Sequence, residues 1–156
     1  MNFKVNIYIA TTWRSPRQKE GSVAWLVEFP KRDGSIETRP REGPGAMRLE
    51  GTETGAILSA LIEALKILTK TCEIRIYTLN ERILTPLKNG WLETWRANNF
   101  QNSKGENVKN SEKWEELSGL LEQHTYKLEK GLGEYRYILN QELAKSVENT
   151  LKGGGR

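Results

Sequence analysis

Residues 52–78 read TETGAILSALIEALKILTKTCEIRIYT, and this stretch decides the fold. Thr52 is a residue type that caps helices, because its hydroxyl can accept one of the orphan N–H groups of the first turn. From residue 53 to about 69, Ala56, Ile57, Ala60, Leu61, Ala64, Leu65 and Leu68 recur at helical spacing and form one broad apolar face. EIRIYT, residues 73–78, then has the composition and alternation of a strand. A strand directly after a long helix predicts a parallel crossover, since parallel neighbours need a connection of that length.

Upstream, residues 4–10 alternate Val5, Ile7 and Ile9 with more polar side chains, a strand pattern. TTWRSPRQKEG, residues 11–21, reads as a basic loop carrying Arg14, Arg17 and Lys19. SVAWLVEF, residues 22–29, is apolar enough for the middle of a sheet. KRDG at 31–34 predicts a hairpin turn, and IETRPR at 36–41 an edge strand that Pro40 interrupts. Residues 42–51 read as a loop containing Gly and Pro. Downstream come short helices near 81–88 and 90–98, then an exposed, Asn-rich segment at 98–110 with Lys104 and Lys109. Asn110 is placed to cap a helix to about 123, with Trp114, Leu117, Leu120 and Leu121 inward. A short strand follows at 125–129, and a last helix at about 135–151 carries Leu139, Leu143, Val147 and Leu151 on one face. The expectation is one domain over residues 1–151, a mixed α/β sheet covered by helices, with 152–156 as a disordered tail.

Composition narrows the class. With 156 residues and 37% hydrophobic content, the chain suits a globular domain rather than a disordered one. No apolar run approaches the roughly 20 residues that span a bilayer, so no membrane segment is expected. MNFKVNIYIATTW reads as a strand rather than a secretory leader. The lone Cys72 cannot form an internal disulfide, which fits the cytoplasm. One His and one Cys exclude the usual structural zinc sites. The net charge of +4 is concentrated early: residues 1–49 hold nine Lys/Arg against five acids, and the remainder balances. Such a bias fits either a polyanionic partner or plain solubilising charge.

The order of motifs adds a resemblance. After CEIRIYT come NGWLETWRANNF, with Trp91 and Trp95 four residues apart, and NSKGENVKNSEKW, a basic protrusion in which Val-Lys-Asn precedes a Trp. Together with TETGAILSALIEAL upstream and GEYRYILNQELAK downstream, this series resembles type 1 bacterial ribonuclease H. The resemblance implies a ribonuclease H-like, mixed five-stranded sheet flanked by helices. It also implies four acids holding two divalent cations, which cut the RNA strand of an RNA–DNA hybrid. Carried over position by position, those acids fall on Ala10, Ile57, Leu79 and Gln141. A one-residue slip substitutes Ala56 or Asn140, neither a carboxylate. No metal, no cofactor and no catalytic residue is therefore expected, and the former metal site is expected to close into the core. Glu53 and Glu142 read as surface residues. The loop EKGLGEYRY lacks the His that the family carries there, and His124 reads as structural.

The resemblance also assigns contacts to nucleic acid. Thr52 matches a residue that contacts a DNA phosphate, and Trp91, Trp95, Arg96, Lys104 and Lys109 match the region that grips the DNA strand. Arg14, Arg17 and Lys19 add charge near the groove. Against this, Glu53 and Thr54 stand where the family reads the minor groove with two Asn, and a carboxylate there is expected to repel phosphates. Glu93 and Glu106 dilute the protrusion. The two Trp either pack their helix against its neighbour or touch nucleic acid. Three function classes follow: a non-catalytic nucleic-acid-binding module, a scaffold domain for a protein partner, and a nuclease with a relocated metal site.

Overall fold

In chain order, the elements are β1 (Phe3–Thr11), β2 (Glu20–Pro30), β3 (Ile36–Thr38), β4 (Gly45–Glu50) and α1 (Glu53–Lys66), followed by β5 (Cys72–Thr78) and α2 (Glu81–Lys88). Then come α3 (Trp91–Ala97), α4 (Ser111–Leu121), β6 (Thr125–Lys130), a 3-10 turn (Gly133–Tyr135) and α5 (Arg136–Gly154). This computed structural model describes residues 3–30, 36–38 and 45–154. The expected turn at 31–34, Pro40, residues 155–156 and the side chains of Val147 and Leu151 lie outside the described residues.

The crossover through α1 has the expected result: β5 lies parallel to β1, with Val5 opposite Ile74 and Ile7 opposite Ile76. β6 continues parallel to β5, while β2 runs antiparallel on the other side of β1. β3 and β4 both pair with β2, at 28–30 and at 20–25 respectively. Among the described residues six strands thus form one mixed sheet, five strands across because β3 and β4 share one side of β2, with helices on its faces.

β4 corrects the expected loop at 42–51. Met47 and Leu49 alternate with Ala46 and Arg48 and pack on the main core, so these residues extend the sheet along β2. α1 ends at Lys66, before the expected 69, and α5 continues to Gly154, past the expected boundary at 151. Asn110 heads α4 as expected, but in a left-handed conformation with its backbone carbonyl, not its side chain, taking the Trp114 N–H.

The period-2 pattern of β1 divides the interior. Val5, Ile7 and Ile9 join Ile74 and Ile76 under α1 and α4, where Leu58, Leu61, Leu65 and Leu117 are buried. Tyr8, Ala10, Ala24 and Leu26 face the other way, beneath Leu139 and Leu143 of α5. The C-terminal ends of β1 and β5, the start of α1 and the start of α5 meet at one end of the sheet's central strands.

Candidate functional site

At that end a hollow of about 260 Å3 opens between β1, α1 and α5. Ala10, Ile57 and Leu79, three of the four positions that the resemblance assigns to acids, line it. Gln141 does not; its neighbour Asn140 stands on the wall instead. One residue along a helix is a turn of about 100°, so a single-residue difference sends the side chain elsewhere.

The expected closure into the core fails. Ile57 is 1% exposed and Ala10 is buried, but Leu79, just beyond β5, is 49% exposed. The hollow stays open because Leu79 follows the last paired residue of its strand, so its side chain reaches solvent, and Ala10 offers only a methyl group.

Glu53 is the carboxylate on this wall. It is half-buried, not the free surface residue expected, and it does not face the groove around Thr52. Its Oε2 accepts from the Thr11 hydroxyl and its Oε1 from the Asn80 side-chain amide. The carboxylate thereby ties β1 to the β5–α2 junction. Glu142 is engaged elsewhere, with Lys145 at 3.2 Å. A hard divalent cation needs several oxygen ligands and compensating negative charge. Among the described residues no three His, Cys, Asp or Glu side chains gather to supply them. These residues do not fit a two-cation centre.

Arg136, the first residue of α5, also lines the hollow. Tyr135 fixes the preceding turn by packing edge-on to Tyr8, ring centres 4.8 Å apart. Both phenols are pushed well above their ordinary range, first by burial and then by the nearby Glu28 carboxylate. A second hollow, of about 370 Å3, adjoins the first through Thr11, Trp13 and Asn140, and Arg14 stands on its wall.

On the other side of the α1 N-terminus, Thr52 belongs to two shallow grooves. One holds Arg17 and Lys19 of the first loop; the other holds Thr54, Arg82, Trp95 and Lys109. The Thr52 hydroxyl caps α1 by accepting the Gly55 N–H at 3.1 Å, which leaves its own proton to donate to a ligand. The structure therefore joins Arg17, Lys19, Thr52, Trp95 and Lys109, but sends Arg14 towards α5. Arg96 turns away as well, pairing with Glu122 at 3.0 Å, and Lys104 sits in the exposed turn at 102–106. Trp95 packs on buried Trp114 with ring centres 5.2 Å apart, whereas Trp91 remains largely exposed.

His124 is buried, and its Nδ1 accepts the Cys72 N–H at 3.0 Å. Nδ1 must be unprotonated to do so, and burial moves the imidazole below its ordinary value. The ring joins the start of β5 to the approach to β6, a structural task.

Sequence reading missed Arg82 and Arg136. Each is a cation in the first turn of a helix, where the dipole favours anions. That mismatch was the available signal.

Comparison with known proteins agrees with this fold. The sequence profile of the family described as RNase H matches residues 15–131. A ribonuclease H from Caldicellulosiruptor saccharolyticus is 37% identical over 93 residues, covering 58% of this chain and 64% of that protein. The chain thus spans just under two thirds of that relative's length. Among solved structures, LC9-RNase H1, described as a type 1 RNase H with the type 2 active-site motif, superposes with a TM-score of 0.74 at 16% identity, over 96% of this chain and 74% of that one. The foamy viral protease-reverse transcriptase in complex with RNA/DNA hybrid gives 0.67 at 18% identity, over 92% of this chain and 20% of that one. At such identities the likeness is one of fold.

Proposed function

As the chain belongs to the ribonuclease H family, we propose that it is a catalytically silent member that binds nucleic acid through backbone phosphates. The observation that carries this reading is the hollow at the ends of β1 and β5. Ala10, Ile57, Leu79 and Asn140 stand where acids are needed, and the carboxylate of Glu53 is taken by Thr11 and Asn80. Two-metal phosphodiester cleavage requires cations held by carboxylates, and this wall cannot hold them.

Support for binding comes from the grooves that meet at Thr52. Arg17, Lys19, Arg82 and Lys109 present positive charge along them, and the Thr52 hydroxyl can donate to a phosphate oxygen. Affinity of this kind is sequence-tolerant and falls steeply with salt.

A second reading, a docking domain for a protein partner, draws on the exposed Tyr137 and Ile138 at the start of α5.

The test incubates pure protein with a labelled RNA–DNA hybrid and Mg2+ or Mn2+, and separately titrates hybrid, double-stranded RNA, double-stranded DNA and single strands at two salt concentrations. No cleavage and salt-sensitive binding are expected. Cleavage that copurifies with the protein and vanishes in Glu53→Gln overturns the silent reading. Absence of binding at low salt transfers the case to the protein-docking reading.

A further inference from the structure

We propose that the hollow lacking its acids is itself a phosphodiester site, in which Arg136, Arg14 and Asn140 hold a backbone phosphate without metal. The inference rests on the nucleic-acid-binding reading above and adds a specific contact to it.

Charge is the first argument. A wall of carboxylates accepts a phosphate only through bridging cations, because two anions repel. Here the acids are replaced by Ala10, Ile57 and Leu79, and two guanidinium groups stand on the joined hollows, Arg136 on one and Arg14 on the other. Neither side chain makes a hydrogen bond or ion pair with another described residue. Glu53 is the opposing charge, half-buried and bound to Thr11 and Asn80. The site has therefore moved from needing cations to supplying them.

Geometry is the second. Asn140 lies one helical turn after Arg136 and lines both hollows, so it stands between the two arginines with an amide that can donate. Arginine presents a planar fork of donors that matches two phosphate oxygens at once.

The start of α5 supplies the third. Its dipole favours an anion, and its first turn contains no acid and begins with Arg136, with Glu134 in the 3-10 turn that leads into it. Like charge at a helix N-terminus is unfavourable alone and becomes favourable with an anion bound.

The experiment has two arms. In the first, inorganic phosphate is titrated into the protein while the Asn140 side-chain amide is followed by NMR. A saturable shift is expected in the wild type, unchanged by EDTA and lost in Arg136→Gln. In the second arm, a single-stranded oligonucleotide is titrated at low salt, with and without Mg2+ at constant ionic strength. Arg136→Gln is expected to weaken binding about tenfold and to reduce the salt slope by roughly one contact, with Arg136→Lys intermediate. Mg2+ should not tighten the complex. A still Asn140 amide, an Arg136→Gln protein that binds like wild type, or a requirement for Mg2+ overturns the proposal. If the oligonucleotide binds wild type and Arg136→Gln alike but Arg17→Glu/Lys19→Glu weakly, this site fails while the nucleic-acid reading stands. If phosphate moves Asn140 but no nucleic acid binds, the reading fails and the site survives. Melting curves for each variant identify any loss due to unfolding.

Discussion

Thr52 and Glu53 are adjacent in the chain, yet they open onto two regions with different histories. Thr52 faces grooves that carry cations and a hydroxyl able to donate a hydrogen bond; Glu53 faces a hollow in which Ala10, Ile57 and Leu79 occupy positions that the resemblance assigns to acids. Both regions are built on the same first turn of α1, so substitutions in one test how far it depends on the other. On the proposed reading, strand-binding and strand-cutting chemistry are separable on this scaffold. The fold needs the apolar backs of β1, β5 and α1, which form the main core.

The sharpest way to probe that separation is to return acids to the hollow one at a time. Ile57 is 1% exposed and Leu79 49%. Ile57→Asp should cost on the order of 3 kcal/mol or more, by burying an unpaired charge among the core residues of α1. Leu79→Asp should cost less than about 1 kcal/mol, because water reaches the carboxylate. Chemical denaturation of both variants tests the contrast. Equal losses would mean that the hollow is closed and that the comparison between the regions is wrong.

His124 lies outside both regions and serves as the control for damage at a distance. Replacing it by Phe removes the acceptor of the Cys72 N–H and should cost about 1–3 kcal/mol. The pH dependence has a definite sign. Burial lowers the folded pKa below the ordinary 6.5, so the unfolded chain binds the proton more readily. The stabilisation is complete above about pH 6.5 and is lost as pH falls from there through the folded value. Melting temperatures between pH 8 and 5 should show this component in the wild type and not in His124→Phe. Persistence of the full pH response in the variant would assign it to other groups.

How much of this was legible depended on the kind of information. The crossover was, because Leu58, Leu61 and Leu65 repeat at helical spacing before Ile74 and Ile76 alternate. The missing acids were legible as letters. The openness of the hollow was not, since exposure of Leu79 depends on what α5 brings across from a distant part of the chain. The convergence of Arg14, Arg136 and Asn140 was hidden for the same reason. β4 escaped notice because its few alternating residues sit beside Gly and Pro, which dominate a local reading. Arg96 looked like a groove cation until its geometry showed Glu122 as partner.

The grooves around Thr52 can be tested against their neighbours. Arg17→Glu/Lys19→Glu should weaken oligonucleotide binding and flatten the plot of log affinity against log salt by about one to two units. Lys104→Glu, in the exposed turn at 102–106, should change the slope by less than about half a unit. Fluorescence anisotropy at several salt concentrations measures both. A larger effect from Lys104 would place the strand on the protrusion and not along Thr52.

The smallest expected effect comes from Glu53→Gln, at the boundary between the two regions. The substitution preserves shape and removes one negative charge. One oxygen remains to accept from Thr11 or Asn80, and the new amide can donate to the Thr11 hydroxyl or the Asn80 carbonyl, so the bracing of β1 against the β5–α2 junction is largely kept. Stability should therefore change by no more than about 1 kcal/mol. Binding should tighten by roughly two- to threefold at low salt, because a phosphate entering beside Arg136 no longer meets a carboxylate across the hollow. The gain should fade at high salt, where the remaining charge is screened by solvent ions. Glu53→Ala separates the two roles: it also removes the charge but takes away the brace, so tightening in Gln with loss of stability in Ala assigns repulsion to the charge and bracing to the hydrogen bonds. Weaker binding in Glu53→Gln at unchanged stability would show instead that the carboxylate orients the hollow for its ligand, and would tie together the two regions that this reading holds apart.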